Sequence, residues 1–132
     1  MKRVLLDTNA YTRLLTGDQE VLKALANAEC VYVPVVVIGE LLAGFKGGAR
    51  EQQNRKLLDE FLERETVLML PVTIKTAEVF AELMHRLKKA GNPIPINDVW
   101  IAAQAVEAGA FLVTYDKHFS SIAGLLLWNA AS

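Results

Sequence analysis

Asp7, Glu40, Asp98 and Asp116 are four acids whose surroundings call for an explanation. Asp7 directly follows the apolar run "VLL" and Asp116 follows "FLVT". Glu40 interrupts "VVVIGELLAGF", and Asp98 opens a stretch, "NDVWIAAQAV", that is apolar on almost every side. Two carboxylates ~4 Å apart repel by roughly 4 kcal/mol at an effective dielectric near 20. Acids that converge must therefore take up protons or bind a cation. The set contains no Cys or His, so its donors are hard oxygens, which select Mg²⁺ or Mn²⁺ over zinc. Thr114, two residues before Asp116, is spaced so that its hydroxyl can orient a carboxylate or a water on the ion. Asn9 stands likewise two residues beyond Asp7.

Convergence depends on the elements that carry these residues. "KRVLL" (2–6), "CVYV" (30–33), "TVLML" (66–70) and "AFLVT" (110–114) read as buried strands, with "LLLW" (125–128) as an edge strand. Between them run helical patterns. "NAYTRLL" is closed by Gly17, and Asp18 is placed to cap "QEVLKALANA" through a face of Val21, Leu22, Leu25 and Ala26. Residues 35–46 begin with β-branched residues, but Pro34 suits a helix start and cannot sit inside a central strand, so this segment is helical. Leu57, Leu58, Phe61 and Leu62 form the next stripe. Ile74, Ala77, Phe80, Ala81, Met84 and Leu87 form another, ended at Gly91. "KHFSSI" is a turn or short helix.

Strands alternating with helices predict an α/β fold, a mainly parallel sheet with helices on both faces. Continuous apolar strands agree with burial on both sides. In such a sheet Asp7 and Asp116 lie at the carboxyl edge, where ligands of open α/β folds bind. The helices bearing Glu40 and Asp98 both begin near that edge, so all four acids have a topological reason to meet. Each also has a local alternative. Asp98 or its neighbour Asn97 can cap a helix, Asp7 and Asp116 can serve turns, and Glu40 can face water.

Bulk properties narrow the classes. A chain of 132 residues, 52% apolar and 22% charged, suits one folded domain spanning 1–132 rather than a disordered segment. The longest apolar run is far short of the ~18 residues a membrane span needs. Cys30 is the only cysteine, so no internal disulfide forms; a core thiol in a reducing cytoplasm is expected. Net charge is −1, too low for a nucleic-acid binder that relies on phosphate neutralisation alone. A local basic segment holds Lys46, Arg50, Arg55 and Lys56 against Glu51 alone. His85 reads as a surface residue. His118, close behind Asp116, reads as a turn residue, with an approach to the site as the alternative. Trp100 and Trp128 read as core or interface aromatics.

"LLDTNAY", "VIGELLAG", "INDVWIAAQA" and "LVTYDKHF", in that order and spacing, resemble the PIN-domain ribonucleases, specifically the VapC-type toxins of toxin–antitoxin pairs. The resemblance covers nearly the whole chain. It implies a parallel sheet flanked by helices and a Mg²⁺ or Mn²⁺ site made by Asp7, Glu40, Asp98 and Asp116, with Thr114 and Asn9 in support. It implies hydrolysis of an RNA phosphodiester to 5′-phosphate and 3′-hydroxyl ends. Asp7, Asp98 and Asp116 would hold the ion, and Glu40 would hold or deprotonate the attacking water. Lys46, Arg50 and Lys117 would position the RNA backbone. The expected partners are RNA, a VapB-type antitoxin that places a basic side chain in the acidic pocket, and a second copy of the chain.

Three other readings compete. A haloacid-dehalogenase-like phosphatase wants Asp-x-Asp after the first strand, where this chain has Asn9. A response-regulator receiver needs paired acids there, which are missing. A non-catalytic scaffold of the same fold would bind RNA or protein without needing the full set of acids.

Overall fold

The computed structural model describes residues 2–128. Met1 and residues 129–132, which the one-domain expectation includes, lie outside the described residues. Strands β1 (Lys2–Leu6), β2 (Ala28–Pro34), β3 (Val67–Leu70) and β4 (Phe111–Val113) form one sheet in the order β3-β2-β1-β4. Every pairing is parallel, with Leu5 opposite Tyr32 on one side and Leu112 on the other. Helices α1 (Thr8–Leu15) and α2 (Gln19–Ala26) connect β1 to β2. Helices α3 (Val35–Phe45) and α4 (Glu51–Leu62) connect β2 to β3, and α5 (Ile74–Lys89) and α6 (Ile96–Ala108) lead to β4. Among the described residues no helix is long and apolar enough to cross a membrane.

Strand order fixes where a site can form. The first two connections step outward from β1, whereas the third returns past β2 and β1 to reach β4. Right-handed crossovers therefore place α1–α4 on one face of the sheet and α5–α6 on the other. The direction of winding reverses between β1 and β4, and the crevice outside the carboxyl ends at such a reversal is the usual ligand site of open α/β sheets. Asp7 and Asp116 leave the two strands that border it.

The centre of the sheet is dry. Val4, Leu5, Leu6, Val33 and Leu112 are completely buried. Pro34 both ends β2 and precedes the first turn of α3, as its missing N–H and fixed φ require. Helix α6 stops at Gly109, whose φ of 63° lets the Ala110 N–H reach back to the Ala105 carbonyl at 3.0 Å. Gln104, buried within α6, donates to the Leu70 and Pro71 carbonyls at 3.1 and 3.2 Å and so ties that helix to the end of β3.

Several packing expectations are corrected. Coverage of both faces holds in the centre but not at β3, where adjacent Leu68 and Met69 are 51% and 56% exposed. Neighbouring strand residues point to opposite faces, so both sides of this edge are open. In α5 the buried positions are Thr76, Leu83 and Leu87, while Ile74 is 81% exposed and Ala81 also faces outward. This helix packs on α6, with Phe80 flat against Trp100 at a ring separation of 3.8 Å. In α2 Val21 and Ala24 face inward and Leu22 is exposed; in α4 Leu58 and Phe61 are buried and Leu57 is exposed. "LLLW" makes a single parallel bridge, Leu127 to Leu112, rather than a strand. Cys30 is half-buried.

Candidate functional site

Asp7 sits at the turn from β1 into α1, only 5% exposed. Its backbone N–H donates to the Val113 carbonyl at 3.1 Å, which continues the β1–β4 ladder by one residue. One carboxylate oxygen accepts the Thr8 N–H at 2.8 Å, and the other accepts the Thr114 hydroxyl at 2.7 Å. Thr114 Oγ1 in turn accepts the Asp116 N–H at 3.0 Å, so a single hydroxyl ties two acids together. Thr8 does the same on the other side, since its hydroxyl donates to Glu40 Oε1 at 2.7 Å. Asp7 thus caps a helix and still faces the other acids.

Asp98 lies in the first turn of α6, but Pro95 occupies the cap position, so neither Asp98 nor Asn97 caps the helix. Asp116 accepts the His118 N–H at 2.9 Å at the start of a 3₁₀ turn, Lys117–Ser121. That turn swings the imidazole of His118 over the acids. Its Nδ1 lies 3.0 Å from Asp116 and 3.5 Å from Asp98. Donor atoms of Asp98, Asp116 and His118 all fall within 4.8 Å of one another. His118 is therefore a neighbour of the site as well as a turn residue, whereas His85 is exposed as expected.

The electrostatics bind these groups into one cluster. Burial pushes the Asp7 carboxyl above the usual carboxylate range, and the charges of Asp98 and Glu40 push the same way against the Thr114 and Thr8 hydrogen bonds. Asp98 is raised too, first by burial and then by the charge of Asp116, with His118 opposing and Glu40 adding. Among the described residues no lysine or arginine pairs with any of the four acids. Crowded carboxylates that no lysine or arginine pairs with among the described residues fit a divalent ion, and their oxygen donors suit Mg²⁺ or Mn²⁺. The imidazole of His118 adds a nitrogen within reach, a donor that Mn²⁺ accepts more readily than Mg²⁺.

The remaining sequence candidates fall in different places. Asn9 accepts the Tyr115 N–H at 3.1 Å and so holds the turn between Thr114 and Asp116. Tyr115 is fixed further by its hydroxyl, which donates to Asp18 at 2.6 Å, and by Arg13, whose guanidinium lies 4.1 Å from its ring centre. Lys117 is exposed beside Asp116. Lys46 pairs with Glu51 at 3.4 Å and Arg50 bonds Gln53 at 3.0 Å, both beyond the end of α3. Six residues separate Glu40 from Lys46, about 9 Å along a helix axis. These two cations are not brought to the acids. Sequence reasoning missed Thr8 and Tyr115 as parts of this structure. A hydroxyl directly after Asp7 was the available signal for the first, and nothing local marked the second.

Comparison with known proteins agrees with this geometry. The family model described as PIN domain matches residues 4–125. The chain is 32% identical over 109 residues to Ribonuclease VapC2 of Rickettsia felis, covering 82% of this chain and 80% of that one. It is 30% identical over 122 residues to Ribonuclease VapC5 of Mycobacterium tuberculosis, covering 90% and 87%. A crystal structure of VapBC2 from Rickettsia felis, bound to a DNA fragment from its promoter, superposes with a TM-score of 0.84 at 27% identity, covering 96% of this chain and 99% of that chain.

Proposed function

The chain belongs to the PIN-domain family and within it to the VapC ribonucleases, and we propose that it is a metal-dependent endoribonuclease, the toxin of a toxin–antitoxin pair. The observation that carries this reading is a cluster at the crevice where the winding of the sheet reverses: donor atoms of Asp98, Asp116 and His118 lie within 4.8 Å of one another, and the charges of Asp98 and Glu40 act on Asp7 beside them. Asp7, Asp98 and Asp116 would hold Mg²⁺ or Mn²⁺, with Glu40 close enough to act on both Asp7 and Asp98. When bound, the ion supplies charge for the scissile phosphate and raises the acidity of water.

The protein's own groups do the rest. Thr114 and Thr8 fix the carboxylates of Asp7 and Glu40 through hydrogen bonds of 2.7 Å, which keeps both pointing into the pocket. Glu40, hydrogen-bonded among the described residues' side chains by Thr8 only, would take the proton of a water attacking phosphorus in line with the leaving 3′ oxygen. Lys117 positions the RNA backbone from the rim. A phosphatase of the Asp-x-Asp type is disfavoured because Asn9 spends its carbonyl oxygen on the Tyr115 N–H.

Likeness to the VapBC2 assembly supports a VapB-type antitoxin as the partner that silences the toxin. A pocket of unneutralised carboxylates suits a basic side chain as the plug. Homodimers and a cytoplasmic setting belong to the same reading. Purified protein is expected to cut RNA with Mg²⁺ or Mn²⁺ and to stop with EDTA. Asp7→Asn and Asp98→Asn should abolish cutting while the circular dichroism stays native. Full activity in either variant, or RNA binding with no metal-dependent cutting, would overturn the assignment and leave a scaffold. Light scattering with and without antitoxin reads the assembly.

A further inference from the structure

Beside the acids lies a cavity of about 280 Å³ that the hydrolytic groups do not use. It shares Thr114 and Asp116 with them and is otherwise lined chiefly by Lys117, Ser120, Leu127 and Trp128. Whatever fills it therefore adjoins the acids. Its volume is at the lower end of the ~300–1,000 Å³ typical of small-ligand sites, enough for one flat ring system rather than a base pair.

The lining has a consistent chemistry. Leu127 and Trp128 are held against β4 by two backbone hydrogen bonds, Leu112 N–H to the Leu126 carbonyl at 2.8 Å and Trp128 N–H to the Leu112 carbonyl at 2.9 Å. An aromatic and an aliphatic side chain thus stand on fixed backbone, a preorganised apolar wall. Lys117 makes no ion pair among the described residues. Ser120 donates its hydroxyl proton to the Lys117 carbonyl at 2.8 Å, which leaves its oxygen free to accept. A flat apolar face, a cation and a polar acceptor are what a nucleotide requires of a protein.

We propose that this cavity is a base subsite: it takes a single unpaired nucleobase adjoining the scissile phosphate, stacked on Trp128, with Lys117 on the neighbouring phosphate. The inference rests on the ribonuclease reading and adds to it a place for one base beside the acids.

Trp100 and Trp128 are the only tryptophans, so a Trp100→Phe background makes fluorescence report on Trp128 alone. Adenosine and uridine 5′-monophosphates should quench it, whereas ribose 5-phosphate should not. With an unpaired RNA, Trp128→Ala should raise KM by about 5- to 100-fold, the range that base–aromatic stacking supplies, with kcat little changed. Trp128→Phe should restore most of the loss, and Lys117→Ala should raise KM without altering quenching by a nucleoside. Equal KM in all variants, no quenching by nucleotides, or equal quenching by ribose 5-phosphate would overturn the base subsite while RNA cutting still stands. Quenching with no cutting under any metal would instead overturn the ribonuclease reading and leave a nucleotide site.

Discussion

Replacing Asp98 by Asn tests the electrostatic basis of the site without any assay of catalysis. Donor atoms of Asp98 and Asp116 lie within 4.8 Å of each other. At an effective dielectric near 20 that separation corresponds to a repulsion of about 3.5 kcal/mol. Water reaches both groups, whose side chains are 15% and 30% exposed, and His118 offsets part of the charge. Half the gross figure, less about 0.5 kcal/mol for the lost helix-dipole interaction at the start of α6, leaves about 1 kcal/mol. Metal-free Asp98→Asn should therefore be more stable than the parent, by about 3–5 °C in Tm for a chain of this size. Thermal melts followed by circular dichroism in EDTA read this directly. Adding Mg²⁺ or Mn²⁺ should reverse the order. The parent gains about 2.7 kcal/mol when the ion is at about 100 times its Kd, and the variant gains much less. If Asp98→Asn melts at or below the parent in EDTA, and the parent ignores both ions, the acids are not strained and the site is not built for a cation.

Acidity gives a second check. Asp7 and Asp98 are raised in the folded chain above the ordinary value of 3.8, so the native state holds more protons than the unfolded one across that interval. Their contribution is full below the unfolded value and is lost as pH rises through the raised ones. Denaturant titrations in EDTA should show the parent losing stability over this window relative to an Asp7→Asn, Asp98→Asn double variant, and saturating Mn²⁺ should remove the difference. Thr114→Val deletes the hydroxyl shared by Asp7 and the Asp116 N–H and should weaken Mn²⁺ binding about 10- to 100-fold by calorimetry. Tyr115→Phe keeps the ring under Arg13 but loses the hydrogen bond to Asp18. A modest loss of stability in urea denaturation is expected, and the phenol titration, which burial and then the Asp18 hydrogen bond push up to about 12, should disappear from the alkaline spectrum.

The strand–helix alternation was legible because β1, β2 and β4 are short apolar runs bounded by turn residues, and because Pro34 and Gly109 punctuate where their backbones demand it. That the charges of the four acids act on one another was legible for a topological reason, since strand ends and helix starts of a parallel sheet share one edge. What could not be read was which side of a helix faces in when its neighbour is another helix. Leu87 lies on the expected apolar stripe of α5 and is buried, but Ile74 on that stripe is exposed and Leu83 off it is buried. Nor could edge position be read: "TVLML" looks as buried as "KRVLL", but only the pairing order leaves Leu68 and Met69 uncovered. Sequence could offer His118 near the site only as an alternative to a turn role, because a 3₁₀ turn, not a helix or strand period, decides where its ring goes. Thr8 escaped because a hydroxyl that spans from α1 to α3 has no spacing signature.

Tyr115 makes the site a dependent of two small helices. Through its N–H, hydroxyl and ring, the peptide that carries Asp116 is fastened to Asn9, Asp18 and Arg13, all in or beside the α1–α2 pair. Helices of eight residues each have little stability of their own and persist by packing. Fraying there would loosen an acid at the crevice while the four strands remain intact, so the chemistry is expected to fail on heating before the sheet melts.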